Sequence, residues 1–418
     1  MKTAVVPVIW IICVALLPAW LVAPALSMDE PGLSLGLLAG WLGMGMIAAS
    51  LLLMVREPLW ASWFGGLQRM YQWHHAMGVA GYLLLLAHPL LLAYHYLQLD
   101  AEIAWEYLSP FNPQATNSLG WAALLIFTLG LAVTFVSRLP YGLWRRLHVS
   151  LAVAMGLGLG HAWFVSGFSN SLWMVVLLTI VSVGWRLLRA DRGMGARPYE
   201  VSQVYHPAAH ITETILKPLA KPLLVAPGQF VSAAFFEGPY FQGCGDFHPY
   251  TVSQVAEDGS LTLSIKALGA CTQHIQSLQP GVAVRLQGPY GTFLLNRPVA
   301  SEVWIAAGIG LTPFLALLRS QSVMQQTDLI YVHRESEHIP YQSELQRFAI
   351  EQKHLSFQSL TMSTDPSPLF AWLEKIDRLN EKQVYLCGPP PLMLKTTQWL
   401  QQHGVPRQQI HFEQFDFR

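Results

Sequence analysis

Apolar positions along this chain fall into two regimes. Before residue 190 they run in long blocks, and six of these cover roughly 4–26, 33–55, 74–97, 119–137, 145–166 and 171–189. A bilayer span needs about 20 residues at ~1.5 Å of rise each, so all six qualify by length. Beyond residue 198 the apolar runs are short and split by Gly and Pro turns. Runs such as 261–265 and 282–286 predict a β-rich stretch over 198–297. Over 298–418 strand and helix patterns alternate, and the continuous apolar runs 303–307, 329–333 and 383–387 read as buried parallel strands.

Composition follows the same division. The apolar fraction is 52% and the charged fraction 12%, far from a soluble average. Only 14 of the 50 Lys, Arg, Asp and Glu residues lie in 1–190, so the first regime is membrane and the second is soluble. The formal net charge is zero, which gives no footing for a nucleic-acid partner. Lys2, Arg56, Arg69, Arg138, Arg145, Arg146, Arg186, Arg189, Arg192 and Arg197 cluster at alternate span ends. The opposite loops carry Asp29, Glu30, Asp100, Glu102 and Glu106 without Lys or Arg. The positive-inside rule then places both termini in the cytoplasm. The first span has signal-peptide traits in Lys2 and Ala25-Leu26-Ser27, but its apolar run exceeds a usual signal core, so a retained helix is expected. Pro110 and Pro113 argue against one long helix across the acidic loop 98–118.

Polar side chains inside a bilayer are costly and usually functional. His74, His75, His88, His95, His148 and His161 fall in or beside the spans, with no carboxylates among them. That disfavours a proton relay or a zinc site, whereas neutral imidazole is a good axial ligand for haem iron. His74 and His88 are 14 residues apart on the third span, about 21 Å at ~1.5 Å per residue and nearly in line. His148 and His161 are 13 apart on the fifth span, which runs in the same direction. The expected pairs are His74 with His148 on the cytoplasmic side and His88 with His161 on the outer side, each holding one b-type haem. Thirteen residues of ideal helix leave the rings off a common stripe, so a local distortion at Gly156, Gly158 and Gly160 is expected to re-aim His161. His95 reads as a helix contact. His75 also stands 13 residues before His88, and His74 is preferred over it as ligand. Arg69, Arg145 and Arg146 flank the inner pair and suit anionic haem propionates as well as they suit plain topology.

Cys13, Cys244, Cys271 and Cys387 form no CxxC pair, which argues against an iron–sulfur domain, a zinc ribbon or a disulfide framework. The soluble part carries five motifs in order. They are His248-Pro249-Tyr250-Thr251; the run 265–269 with Lys266 and Gly269, then Thr272; Gly288-Pro289-Tyr290-Gly291; Gly308-Ile309-Gly310-Leu311-Thr312-Pro313-Phe314 after a strand; and Cys387-Gly388-Pro389 after the last apolar strand. Together with the histidine-bearing spans, they resemble the NADPH oxidase and ferric reductase family in its prokaryotic form. In that family a ferric-reductase-like transmembrane domain is fused to a ferredoxin–NADP-reductase-type module. Tyr250 departs from the Phe more often found at its place.

The resemblance implies a six-helix transmembrane bundle (1–192), an antiparallel β-barrel FAD domain (198–297) and an α/β Rossmann-like NAD(P) domain (298–418). It implies FAD contacts from His248, Pro249, Tyr250, Thr251, Lys266, Gly269 and Thr272. Nucleotide contacts are implied from Gly308, Gly310, Thr312, Pro313, Gly388 and Pro389, with Cys387 beside the hydride path. Arg334 stands where the family often places an arginine for the 2′-phosphate of NADPH, with Glu335 and Glu337 close by. Phe417, or failing it Phe415, is the expected aromatic shield over the flavin ring. The function implied is electron transfer from cytoplasmic NADPH or NADH, across a bacterial inner membrane, to dioxygen or a ferric chelate. A cytochrome b serving a partner protein is the other reading, although no obligatory partner is evident. A transporter lacks its paired charges, and no EF-hand pattern supports calcium control.

Overall fold

The computed structural model describes residues 5–27, 29–111, 114–134, 139, 141–238, 240–295, 297–334 and 339–413. The chain divides into two compact units, Met1–Arg56 with Arg69–Leu187, and Glu57–Gln68 with Leu188–Arg418.

The first unit is helical: α1 (Val5–Val22), α2 (Pro31–Leu52), α4 (Leu67–Leu97), α5 (Ala101–Leu108), α6 (Ala115–Thr134), α7 (Tyr141–Ser166) and α8 (Asn170–Trp185). The short α3 (Pro58–Trp63), between α2 and α4, falls in the other unit. Among the described residues five helices are long and apolar enough to cross a membrane, and α1 falls just short. Their outward faces carry large apolar groups such as Leu83, Leu129 and Leu177, each more than half exposed, as lipid-facing surfaces should. Inside the bundle small residues let backbones approach. A Cβ on Gly36, Gly40 or Gly43 of α2 would come within 3 Å of Leu92, His88 or Leu85 of α4. Loop 98–118 is not one long helix; it holds the eight-residue α5, capped by the Asp100 carboxylate on the Glu102 amide.

The second unit begins as a closed antiparallel barrel ordered β1-β2-β5-β4-β3-β6. Its strands are β1 (Arg197–Ala208), β2 (Ile211–Pro218), β3 (Phe230–Phe235), β4 (Cys244–Val255), β5 (Leu261–Lys266) and β6 (Ala283–Tyr290). The five-residue α9 (Ala270–His274) lies between β5 and β6. Alternate apolar residues such as Val231, Val252, Leu263 and Leu286 fill the barrel interior. A parallel sheet ordered β11-β10-β7-β8-β9 follows. It comprises β7 (Glu302–Ala307), β8 (Thr327–His333), β9 (Leu355–Thr361), β10 (Gln383–Cys387) and β11 (Ile410–Glu413). Helices α10 (Thr312–Ser320), α11 (Gln342–Glu351), α12 (Ser367–Leu373) and α13 (Pro390–Gln402) make the crossovers. The two parts are clamped by Arg319 of α10, which gives a two-point contact to Glu344 at 2.8 and 2.9 Å and reaches Glu213 of β2 at 3.3 Å. The α3 segment packs against β6, and Gln287 of β6 donates to the Arg189 and Ala190 carbonyls.

Candidate functional site

In the helical unit, α4 and α7 bring the four histidines together in two pairs. The rings of His74 and His148 lie 6.3 Å apart, centre to centre, and those of His88 and His161 also 6.3 Å apart. The planes cross at 70° and 71°. His75 lies beside His74 at 5.6 Å, and His95 rests against Tyr96 at 4.9 Å. One iron between two imidazoles needs about 2 Å to each nitrogen and ~1 Å more to each ring centre, so a separation near 6 Å suits bis-histidine ligation.

The remote nitrogens support the same fit. A metal-ligating imidazole usually donates its other N–H to a carbonyl, which fixes ring and tautomer. His74 Nδ1 meets the Ser50 carbonyl at 3.0 Å, His88 Nδ1 meets Gly36 at 2.7 Å and His161 Nδ1 meets Thr116 at 2.7 Å. His148 instead stacks on Trp144, with its Nδ1 unpartnered among the described residues.

The sequence reading missed what permits these contacts. A glycine stands one turn beyond two of the accepting carbonyls: Gly40 after Gly36, and Gly120 after Thr116. A Cβ on Gly40 would lie 2.9 Å from His88 Nδ1, and one on Gly120 would lie 3.1 Å from His161 Nδ1. Glycines recurring every third or fourth residue of a span were the available signal. Helix α7 runs unbroken through Gly156, Gly158 and Gly160. Pro89 follows His88 directly and removes a backbone donor from α4 there. A cavity of about 390 Å³ is lined by His88, His161, Tyr96, Tyr107, Asn117 and Trp121, among other residues, with no carboxylate. Tyr107 of α5 stacks on Tyr96 at 4.5 Å, and Trp121 donates to the Tyr107 carbonyl.

In the barrel, β4 places His248, Pro249, Tyr250 and Thr251 opposite Ala233, Ser232, Val231 and Phe230 of β3. Tyr250 is buried with the barrel core, edge-on to Phe235, and its hydroxyl has no partner among the described residues. Burial pushes that hydroxyl up from its ordinary pKa. Lys266 ends β5, and the loop after it is shaped by Thr272, whose hydroxyl accepts from the Leu268 and Gly269 amides at 2.8 and 2.9 Å. The absence of a CxxC motif proved a poor guide. Cys244 at the start of β4 and Cys271 in α9 are disulfide-bonded, brought together over 27 residues by barrel closure.

The parallel sheet reverses strand order between β7 and β10, and ligands of such sheets bind outside the strand ends at that point. Gly308 and Gly310 follow β7; Cys387 ends β10, and Gly388 and Pro389 follow it. The loops touch: a Cβ on Gly310 would overlap the Cys387 carbonyl. Gly308 has φ +56°, a left-handed conformation that favours glycine. The Thr312 hydroxyl returns to the Ile309 carbonyl at 3.0 Å, while Pro313 lies in the first turn of α10 and Phe314 packs on Trp304. Arg334 is exposed just beyond β8. Glu335, Glu337, Phe415 and Phe417 lie outside the described residues.

Glu413 is a second residue the sequence reading missed. It pairs with Cys387 in the β10–β11 register and touches the Cβ position of Gly291 at 2.8 Å. Burial raises its carboxyl to about 8. Burial also pushes the Cys387 thiol well up, with Glu413 adding to the effect.

Comparison with known families agrees with this division. Residues 39–159 match the ferric reductase like transmembrane component, 216–294 the oxidoreductase FAD-binding domain and 304–398 the oxidoreductase NAD-binding domain. The toluate 1,2-dioxygenase electron transfer component of Pseudomonas putida is 27% identical over 205 residues, 46% of this chain and 59% of that protein. The flavohemoprotein of Bacillus subtilis is 23% identical over 242 residues, 52% of this chain and 59% of that one. The chain thus spans under two thirds of the length of either relative. Among solved structures, flavohemoglobin from Malassezia yamatoensis is 18% identical with a TM-score of 0.48, covering 72% of this chain and 85% of that one. The FAD/NAD-binding domain of nitric oxide dioxygenase from Vibrio cholerae is 20% identical with a TM-score of 0.45, covering 52% and 98%.

Proposed function

We propose that this NAD(P)H oxidoreductase, a ferric-reductase-like transmembrane component joined to FAD- and NAD-binding domains, carries electrons from cytoplasmic NADPH by way of FAD and two b-type haems to dioxygen on the outer face of a bacterial inner membrane, releasing superoxide. The observation that carries this reading is the pair of facing imidazoles repeated at equal separation along α4 and α7. When bound, the flavin converts the two electrons of a hydride into the single electrons that haem accepts.

The residues have separable tasks. His74 with His148, and His88 with His161, would hold the two irons. Carbonyl contacts at His74, His88 and His161 keep those rings from turning. His248, Pro249, Tyr250, Thr251, Lys266, Gly269 and Thr272 would hold the flavin. Gly308, Gly310, Thr312, Pro313, Gly388 and Pro389 would seat the nucleotide at the switch of strand order, with Arg334 on its 2′-phosphate. Cys387 would pack at the nicotinamide, its buried thiol remaining protonated, and Phe417 would shield the flavin ring. Six spans and cytoplasmic termini complete the reading.

Dioxygen is preferred on the resemblance of the motifs to those of the NADPH oxidases. A ferric chelate is the second reading, favoured by Glu102 and Glu106 on exposed positions of α5. The test is NADPH oxidation by the purified chain in detergent with FAD supplied. Superoxide-dismutase-sensitive dye reduction under air is expected. Absent oxygen consumption, with fast anaerobic reduction of a chelated ferric salt, overturns dioxygen in favour of the metal.

A further inference from the structure

We propose that Cys244 and Cys271 form a reversible thiol–disulfide site that clasps the two flavin-binding segments together and sets how firmly the flavin is held. The proposal rests on the flavin reading above. Cys244 opens β4 four residues before His248, and Cys271 lies in α9 beside Thr272. One covalent link therefore joins the strand carrying His248 to Thr251 with the loop that Thr272 closes on Leu268 and Gly269. The Cα atoms stand 5.6 Å apart, inside the span of about 4.4–6.8 Å that a disulfide bridges without backbone movement.

A ligating nitrogen of His248 and both sulfurs lie within 4.8 Å of one another, all three residues half-buried. An imidazole so placed can take a thiol proton and leave the thiolate, the species that attacks a disulfide. Half-burial admits a small oxidant. The same three groups suit a zinc ion in ligand type, and zinc binding is the competing outcome that the experiment below separates from a disulfide. Disulfides in a reducing compartment are usually transient and redox-sensing, and a cytoplasmic barrel would meet such conditions.

The oxidant is a low-molecular-weight disulfide such as oxidised glutathione. The Cys244 thiolate attacks one of its sulfurs, forms a mixed disulfide and releases one small thiol. Deprotonated Cys271 then attacks the Cys244 sulfur, forms the internal bond and releases the second small thiol. Two protein thiols and one small disulfide become one protein disulfide and two small thiols, and excess small thiol reverses the step. With the link closed, α9 and β4 are held in register before flavin arrives; with it open, α9 can move away from β4.

The experiment uses the full chain in detergent, loaded with FAD and equilibrated at set ratios of reduced to oxidised glutathione. Free thiols are alkylated and peptides are read by mass, while flavin release on dilution is followed by its fluorescence. A linked 244–271 peptide is expected in oxidising buffer, with release about tenfold slower than in reducing buffer, since a preorganised site sheds its ligand more slowly. C244S and C271S should release at the fast rate in both buffers. Full alkylation of both cysteines in oxidising buffer overturns the proposal. So does a tightly held equivalent of zinc that blocks alkylation without a linked peptide. A linked peptide with equal release rates sinks the clasp but spares the flavin reading. A chain that binds no flavin at any ratio overturns both.

Discussion

The helical unit and the barrel–sheet unit build their candidate sites in opposite ways. In the helices the candidate site is four side chains of one type, which stand out because imidazole is costly among lipid-facing apolar residues. In the soluble unit the candidate site is largely backbone: the loop of Gly308 and Gly310 against Cys387, and the amides gathered by Thr272. A site of side chains is broken by deleting the side chain. A site of backbone is broken by adding atoms, or by changing the charge of what packs behind it.

The largest effect should come where the two strategies meet. His88→Ala or His161→Ala should each remove the outer haem and halve total haem, read by the reduced-minus-oxidised spectrum. Gly120→Val, which adds bulk 3.1 Å from His161 Nδ1, should approach the same loss, because overpacking a close contact costs about 1–3 kcal/mol and pushes the ring off its Thr116 carbonyl. Full haem content in all three variants would remove His88 and His161 as ligands.

This contrast also explains how much could be read from the sequence. The histidine positions, the strands at 303–307 and 383–387 and the order of domains were visible as local pattern. The structure has those strands as β7 and β10. The roles of Gly40 and Gly120 were not visible, because each depends on a ring contributed by another helix. Cys244 and Cys271 were discounted for their spacing, yet barrel closure makes them neighbours. Nothing in the local pattern sets Glu413 apart; the structure pairs it with Cys387 and buries it.

Glu413 gives the next effect. Its carboxyl is raised from 4.5 to about 8 by burial, so the folded chain keeps a proton that the unfolded chain releases. The folded state then binds more protons between those values, and stability falls as pH rises through that window. At about 1.4 kcal/mol per unit, the loss is on the order of a few kcal/mol. Glu413→Gln should flatten this slope, giving a variant that gains on the parent from pH 5 to pH 8 in thermal unfolding followed by flavin fluorescence. Parallel slopes in parent and variant would show that Glu413 ionises as freely as a surface group.

A smaller effect is expected at Arg334, exposed at the end of β8. A guanidinium paired with a phosphate in water contributes modestly, so Arg334→Ala should raise KM for NADPH about tenfold and leave NADH alone. An unchanged ratio of the two donors would remove Arg334 from the nucleotide site.

The smallest expected effect concerns the outer loop, where the helical unit borrows the backbone strategy. Asp100 caps α5 through the Glu102 amide at 2.7 Å, and α5 holds Tyr107 stacked on Tyr96 beside the cavity of His88 and His161. Removing an N-cap costs about 1 kcal/mol, which in an eight-residue helix raises the frayed population several-fold without unfolding the bundle. Dioxygen is small and uncharged, so its reduction should be indifferent to that fraying. A ferric chelate is bulky and needs room at the outer end, so its reduction depends on how often α5 moves aside. Asp100→Ala should therefore leave superoxide formation within about twofold and raise anaerobic ferric-chelate reduction about two- to threefold. Asp100→Asn, which keeps a capping oxygen but loses the charge, separates fraying from electrostatics. Asp100→Asn should then behave as the parent; if instead both variants slow ferric reduction to the same extent, the acidic loop attracts the metal by charge, and the ferric reading gains at the expense of dioxygen.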